Sequence, residues 1–277
     1  MLTDFDYDLD GVALRAFAGL FEPAYPFVFA NRPNSGMATG LDLDGNGRTG
    51  EARDAQGYGQ FAGDGGVAIL SRFPIATEDV YDFTDLLWRQ LPDANLPRTS
   101  SGPFPSEAAQ AVQRLSTSVH WIVPIILEDQ RVLNLLVYAA TPPVFDGPED
   151  QNGLRNRDEL KLWEQVLDGH WGAVPVDFVF AGLTNLDPDA GEGDRATMAA
   201  FLRDPLLLDP LPNLPTAHWP DRDLPPMRVS YVLPAATWTV QDAGVVWPAP
   251  DSRLGLQLGI DGAAAGPHRL VWVALAQ

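Results

Sequence analysis

Three segments gather oxygen donors at spacings that could do chemistry. The first is Asp42-Leu43-Asp44-Gly45-Asn46-Gly47-Arg48. It sets Asp42, Asp44 and Asn46 at alternate positions and a glycine where a sharp turn is needed, which is how a calcium loop begins. The position that closes such a loop with a bidentate Glu holds Arg53, with Glu51 and Asp54 beside it. A solvated turn of Asp, Asn and Gly is therefore the competing reading. The second segment is Asn185-Leu186-Asp187-Pro188-Asp189-Ala190-Gly191-Glu192-Gly193-Asp194. Its carboxylates could hold a cation, or Asp194 could cap a following helix. The third runs over residues 141–156, is stiffened by prolines, and leaves a strand end, where open α/β sheets build their sites.

Other chemistries find less support. None of His120, His170, His218 and His268 is paired at helical spacing, and there is no H-E-x-x-H. A lone histidine such as His120 reads first as a structural residue. Ser71 lies outside any G-x-S-x-G elbow. With no cysteine in the chain, thiolate nucleophiles, disulfides, iron–sulfur clusters and cysteine zinc sites are excluded together.

The elements that must position these loops are short and alternate in type. Runs rich in β-branched and aromatic residues at 66–70, 121–127, 132–138, 177–181, 229–233 and 270–274 read as strands. Residues 128–130 read as a hairpin connection between two of them. Helices are expected over 9–20, 156–167 and 197–202. The middle one places Leu160, Trp163, Val166 and Leu167 on one face, with Gly169 past its end. Strands alternating with helices, with at least one hairpin, predict a layered α/β fold with a mixed sheet or two packed sheets.

Charge narrows the partners. Asp plus Glu is 37 against 18 Lys plus Arg, a net charge of −19, and Lys161 is the only lysine. So acidic a surface repels polyphosphates and gains nothing from counterion release, which argues against broad nucleic-acid binding. It favours divalent cations or a basic partner. No run approaches the roughly 18 apolar residues of a membrane helix. The opening residues, Met1-Leu2-Thr3-Asp4-Phe5-Asp6, lack the basic and apolar regions of a signal peptide, so a soluble chain is expected.

Several motifs, in order, resemble the endonuclease/exonuclease/phosphatase superfamily, the fold of DNase I, and more narrowly a bacterial branch of it. They are Asp4-Phe5-Asp6-Tyr7-Asp8, residues 34–40 with the acidic loop after them, Gly65-Gly66-Val67-Ala68-Ile69-Leu70-Ser71-Arg72, Val119-His120-Trp121, residues 141–150, Gly182-Leu183-Thr184-Asn185-Leu186-Asp187-Pro188, residues 228–234 and residues 268–273. The resemblance implies one domain over 1–277, folded as a four-layer α/β sandwich with two packed mixed β-sheets. It also implies phosphoester hydrolysis with magnesium or manganese held by carboxylates, and an Asp-polarised His assisting the attacking water.

Carried over position by position, the family's metal Glu falls on Asp4 and its mid-chain His on Ala139. The Gly-Asp-x-Asn motif reads Gly182-Leu183-Thr184-Asn185. The Asp before Tyr-Val-Leu is Ser230, and the terminal Asp-His pair is Pro267-His268. Asn185 and His268 are the catalytic remnants. The strand that precedes Asp4 in the family has no counterpart after Met1. An upstream start, a protein partner covering the sheet edge, or a replacement element would each account for that. Three functional readings follow. The first is a catalytically inactive relative serving as a binding or structural subunit. The second is a metal-dependent phosphoesterase with a rearranged site of Asp4, Asn185, Asp187 and His268. The third is a calcium-loaded structural module built on Asp42, Asp44 and Asn46.

Overall fold

In chain order the elements are β1 (Leu2–Thr3), α1 (Val12–Ala18), β2 (Phe27–Phe29), β3 (Val67–Ser71), β4 (Tyr81–Asp82), β5 (Arg98–Thr99), β6 (Gly102–Pro103), α2 (Glu107–Val112), β7 (His120–Ile126), β8 (Val132–Ala139), α3 (Gln151–Leu167), β9 (Phe178–Leu183), α4 (Arg195–Phe201), β10 (Ser230–Pro234), β11 (Thr239–Val245), α5 (Arg253–Leu258) and β12 (Val271–Ala276). They are seen in a computed structural model that describes residues 1–259 and 266–276.

β8 shows why the sheets pack as they do. Successive side chains on a strand point to opposite faces. Val137 and Ala139 therefore enter one apolar cluster, while Leu136 and Tyr138 enter another. A strand apolar on both faces must be covered on both. β8 lies inside a five-stranded sheet of order β10-β9-β8-β7-β4. Its pairing with β9 is parallel, and the sheet's other pairings are antiparallel, so the sheet is mixed. On one face, Leu160, Trp163 and Val166 of α3 and Met198 and Phe201 of α4 pack on Leu136, Tyr138, Phe178 and Phe180. On the other, Phe29, Val67 and Ile69 of a three-stranded antiparallel sheet, β1-β3-β2, meet Trp121, Val123, Val137 and Leu183. Each such burial is worth about 1.5–3 kcal/mol, so the two clusters fix the spacing of the layers.

The layering is the sandwich that the sequence implied. Its outermost layer is thin, consisting of α1 beside β2 with only Leu14 and Ala18 buried. Helix limits differ from expectation. α1 is shorter than 9–20, because Asp8 caps it with both carboxylate oxygens, accepting from the N–H of Val12 (2.7 Å) and Ala13 (2.9 Å). α3 begins five residues before the expected Asn156, at Gln151. Its early turns bury Gln151, Arg155 and Asn156 against loop carbonyls, so they carry no apolar periodicity to read. α4 starts at Arg195, and Asp194 caps it through the N–H of Thr197 at 3.0 Å. Residues 128–130 do join the antiparallel β7 and β8.

Candidate active-site cleft

Register brings three separated residues side by side. Ala139 at the end of β8 pairs with Leu183 at the end of parallel β9, and Leu183 pairs with Ser230 at the start of antiparallel β10. Ala139 and Leu183 are each 7% exposed and pack with Ala217 and Val229 in the core between the sheets. Across the ends of three adjacent strands the row therefore offers a methyl, an isobutyl and a hydroxyl group. It contains no group that can ionise near neutral pH.

Asn185 follows β9 in a left-handed conformation (φ 53°). Its Nδ2 donates to the carbonyl of Ala140 at 2.8 Å, which straps the end of β8 to the loop after β9. Asp4 follows β1, also left-handed (φ 54°), with its carboxylate on the side of Gly65. His268 packs edge-on against Trp219, with ring centroids 5.4 Å apart, and its segment is held by a bridge to Ala217. Burial lowers the His268 pKa, while the charge of Asp4 pulls it back up and Arg269 lowers it further. The His268 Nδ1 is buried and has no hydrogen-bond partner among the described residues. Asp4 and His268 are thus electrostatic neighbours, whereas Asn185 is engaged by the backbone.

Asp187 belongs to a different constellation. One oxygen accepts from the N–H of Asp189 (2.7 Å) and Ala190 (3.1 Å), and the other from the N–H of Arg228 (2.6 Å). Arg228 in turn forks onto Asp209 at 2.8 and 2.6 Å and lies over the Tyr231 ring, 4.3 Å from its centroid. With three backbone donors on its oxygens, Asp187 serves as a loop strut. It lines a cavity of about 190 Å³ together with Asp189, Asn213 and Arg228.

The acidic loop closes on a residue outside its first seven positions. Oxygens of Asp42, Asp44 and Asp54 all lie within 4.8 Å of one another. Burial pulls the Asp42 pKa upward, but N–H groups of Gly47 and Gly45 outweigh it and hold it below the usual range. Asp44 is pushed up by burial and by the neighbouring Asp42 carboxylate. Asn46 turns its Nδ2 to Asp44 (3.0 Å) and Glu51 (2.7 Å), and its Oδ1 accepts from the N–H of Arg48 (2.8 Å). Asp54 accepts from the N–H of Leu43 and of Glu51, both at 2.9 Å. Hard oxygen donors in such a cluster suit calcium or magnesium. Sequence spacing pointed to Asp42 and Asp44 and passed over Asp54, whose approach depends on a 3-10 turn at Ala52–Asp54.

Sequence reasoning also missed the polar face of α3. Glu159 is fully buried and accepts from the N–H of Thr117 (2.6 Å) and Thr141 (2.8 Å). Burial raises its pKa to about 7, against the pull of Arg155. Asn156 donates to the carbonyls of Thr141 (2.7 Å) and Thr184 (2.8 Å), and so holds the ends of β8 and β9 together. His120 is buried between Tyr138 and Trp163, and desolvation drives its pKa down to about 3, so it is a neutral core residue.

A protein-family model described as the Endonuclease/Exonuclease/phosphatase family matches residues 5–254, and the chain belongs to that family. Among solved structures, it is similar to an endonuclease/exonuclease/phosphatase from Beutenbergia cavernae, with a TM-score of 0.54 and 14% identity over 96% of this chain and 55% of that one. It thus spans little more than half the length of that relative. It is also similar to the human Nocturnin catalytic domain with bound sulfate, with a TM-score of 0.51 and 11% identity over 99% of this chain and 79% of that one. At these identities the likeness is one of fold. No curated protein matches the chain.

Proposed function

We propose that this chain keeps the phosphoesterase scaffold without the hydrolysis and acts as a binding or structural subunit. The observation that carries the reading is the Ala139–Leu183–Ser230 row at the ends of β8, β9 and β10. Phosphoester hydrolysis needs carboxylates to hold a cation and a base or acid to move a proton. Among the described residues Asp4 is the one carboxylate whose charge acts on His268, and the side chain of Asn185 is strapped to the backbone. This donor set does not fit magnesium, which asks for several hard oxygens in near-octahedral array. Losing single catalytic groups typically costs about 10²–10⁴-fold in rate, so the combined loss leaves little above background.

The test is hydrolysis of a phosphodiester and a phosphomonoester chromogen with magnesium, manganese or calcium. No turnover above a buffer blank is expected. Metal-dependent turnover abolished by His268→Ala or Asn185→Ala would establish the rearranged hydrolase instead. The electrostatic pairing of Asp4 with His268 is the feature that favours that second reading.

The subunit reading includes a cation at Asp42, Asp44 and Asp54 as a structural brace, and a protein partner at the open edge of β1. Among the described residues, β1 pairs with β3 alone and stands at the end of its sheet. For the cation, millimolar calcium should raise the melting temperature by mass action. Asp44→Asn should remove that rise. An unchanged melting temperature would dismiss the brace.

A further inference from the structure

We infer that the outer face of the three-stranded sheet docks a basic segment of another protein, which inserts one apolar side chain between α1 and the sheet. A cavity of about 210 Å³ opens to solvent there. Its floor is apolar, made by Leu14 of α1, Val28 of β2 and Ala68 of β3. By volume it has room for a Leu or Phe side chain, with Asp6, Asp8, Asp10 and Arg15 among the residues around it. Among its lining residues, Leu9 stands 87% exposed. Leu9 and the floor together offer an incoming apolar side chain a place to bury.

Charge selects the occupant. Asp6, Asp8 and Asp10 line the same cavity. Backbone N–H groups of Ala13 and Val12 on the Asp8 carboxylate hold its pKa below the usual range, so it stays ionised. Arg15 is the one cation among the lining residues, and its guanidinium is turned to the carbonyl of Asp10. A second copy of the chain would set these carboxylates against themselves, within a molecule already at −19. An acidic or phosphate-bearing partner meets the same repulsion. A segment with Arg or Lys beside one large apolar residue matches both the floor and the rim. The inference is independent of whether the cleft between the sheets hydrolyses anything.

The experiment uses the full chain and two labelled synthetic peptides of equal length, one alternating Arg with Phe and one alternating Glu with Phe. Anisotropy is read at two salt concentrations, for the wild type and two double variants. Leu9→Lys with Asp10→Lys alters only exposed rim side chains. Glu78→Lys with Asp79→Lys adds four positive charges on an exposed turn elsewhere, one more than the three added at the rim. The Arg–Phe peptide is expected to bind the wild type and the Glu78/Asp79 variant alike, and the Leu9/Asp10 variant about tenfold more weakly, with neither variant melting below the wild type. Three results would overturn the inference. One is equal weakening by both variants, which would mean general attraction to an acidic surface. The others are no binding at low salt, and a stable wild-type dimer that the Leu9/Asp10 variant disperses.

Discussion

Glu159 receives the backbone N–H groups of Thr117 and Thr141, at 2.6 and 2.8 Å, and so ties the segment before β7 to the segment after β8. Burial lifts its pKa from an ordinary 4.5 to about 7, with Arg155 opposing the rise. A carboxyl raised on folding stabilises the native state fully below its unfolded pKa, and that contribution fades as pH rises through the folded value. The window is therefore about pH 4.5 to 7. Glu159→Gln should destabilise the protein by about 1–3 kcal/mol, because an amide N–H now faces one of two buried backbone donors. The gap in melting temperature between wild type and variant should narrow as pH is raised across the window. A gap that widens would show that the carboxylate is held ionised.

At the scale of elements, the strand ends decide the chemistry. β8, β9 and β10 were legible in sequence as apolar runs, and their register is set by the two cores they separate. Leu183 in the middle of the row packs into the core between the sheets. Leu183→Asp should therefore cost on the order of 3–5 kcal/mol, the effect of an uncompensated buried charge. Denaturant unfolding should show a larger loss at pH 8 than at pH 4, since a buried carboxyl is tolerated better when neutral. A variant that stays stable and gains stabilisation from magnesium would mean that the row faces an open, hydrated cleft. The polar early turns of α3 were not legible, because hydrogen bonds to loop carbonyls leave no periodic trace in sequence.

For the whole molecule, 37 acids against 18 bases make like-charge repulsion a term in stability. Salt shortens its range, from about 30 Å at 0.01 M to about 3 Å at 1 M. Adding sodium chloride should raise the melting temperature, by about 2–4 °C for each kcal/mol of repulsion relieved. Calorimetry that shows a flat or falling profile would mean that local ion pairs, such as Arg228 with Asp209, outweigh the net charge. The described residues include no helix long and apolar enough to cross a membrane.

The sequence by itself determined which side chains stand at 139, 183, 230 and 268, the absence of cysteine chemistry, and the alternation that makes a packed α/β fold. These are local properties, carried by residue type and by periods of two and 3.6. Only the tertiary structure decided that Ala139, Leu183 and Ser230 form one row, that Asp54 joins Asp42 and Asp44, and that Asp187 is spent on backbone donors. Adjacency across strands depends on register and crossover. What a carboxylate does depends on which N–H groups distant parts of the chain bring to it.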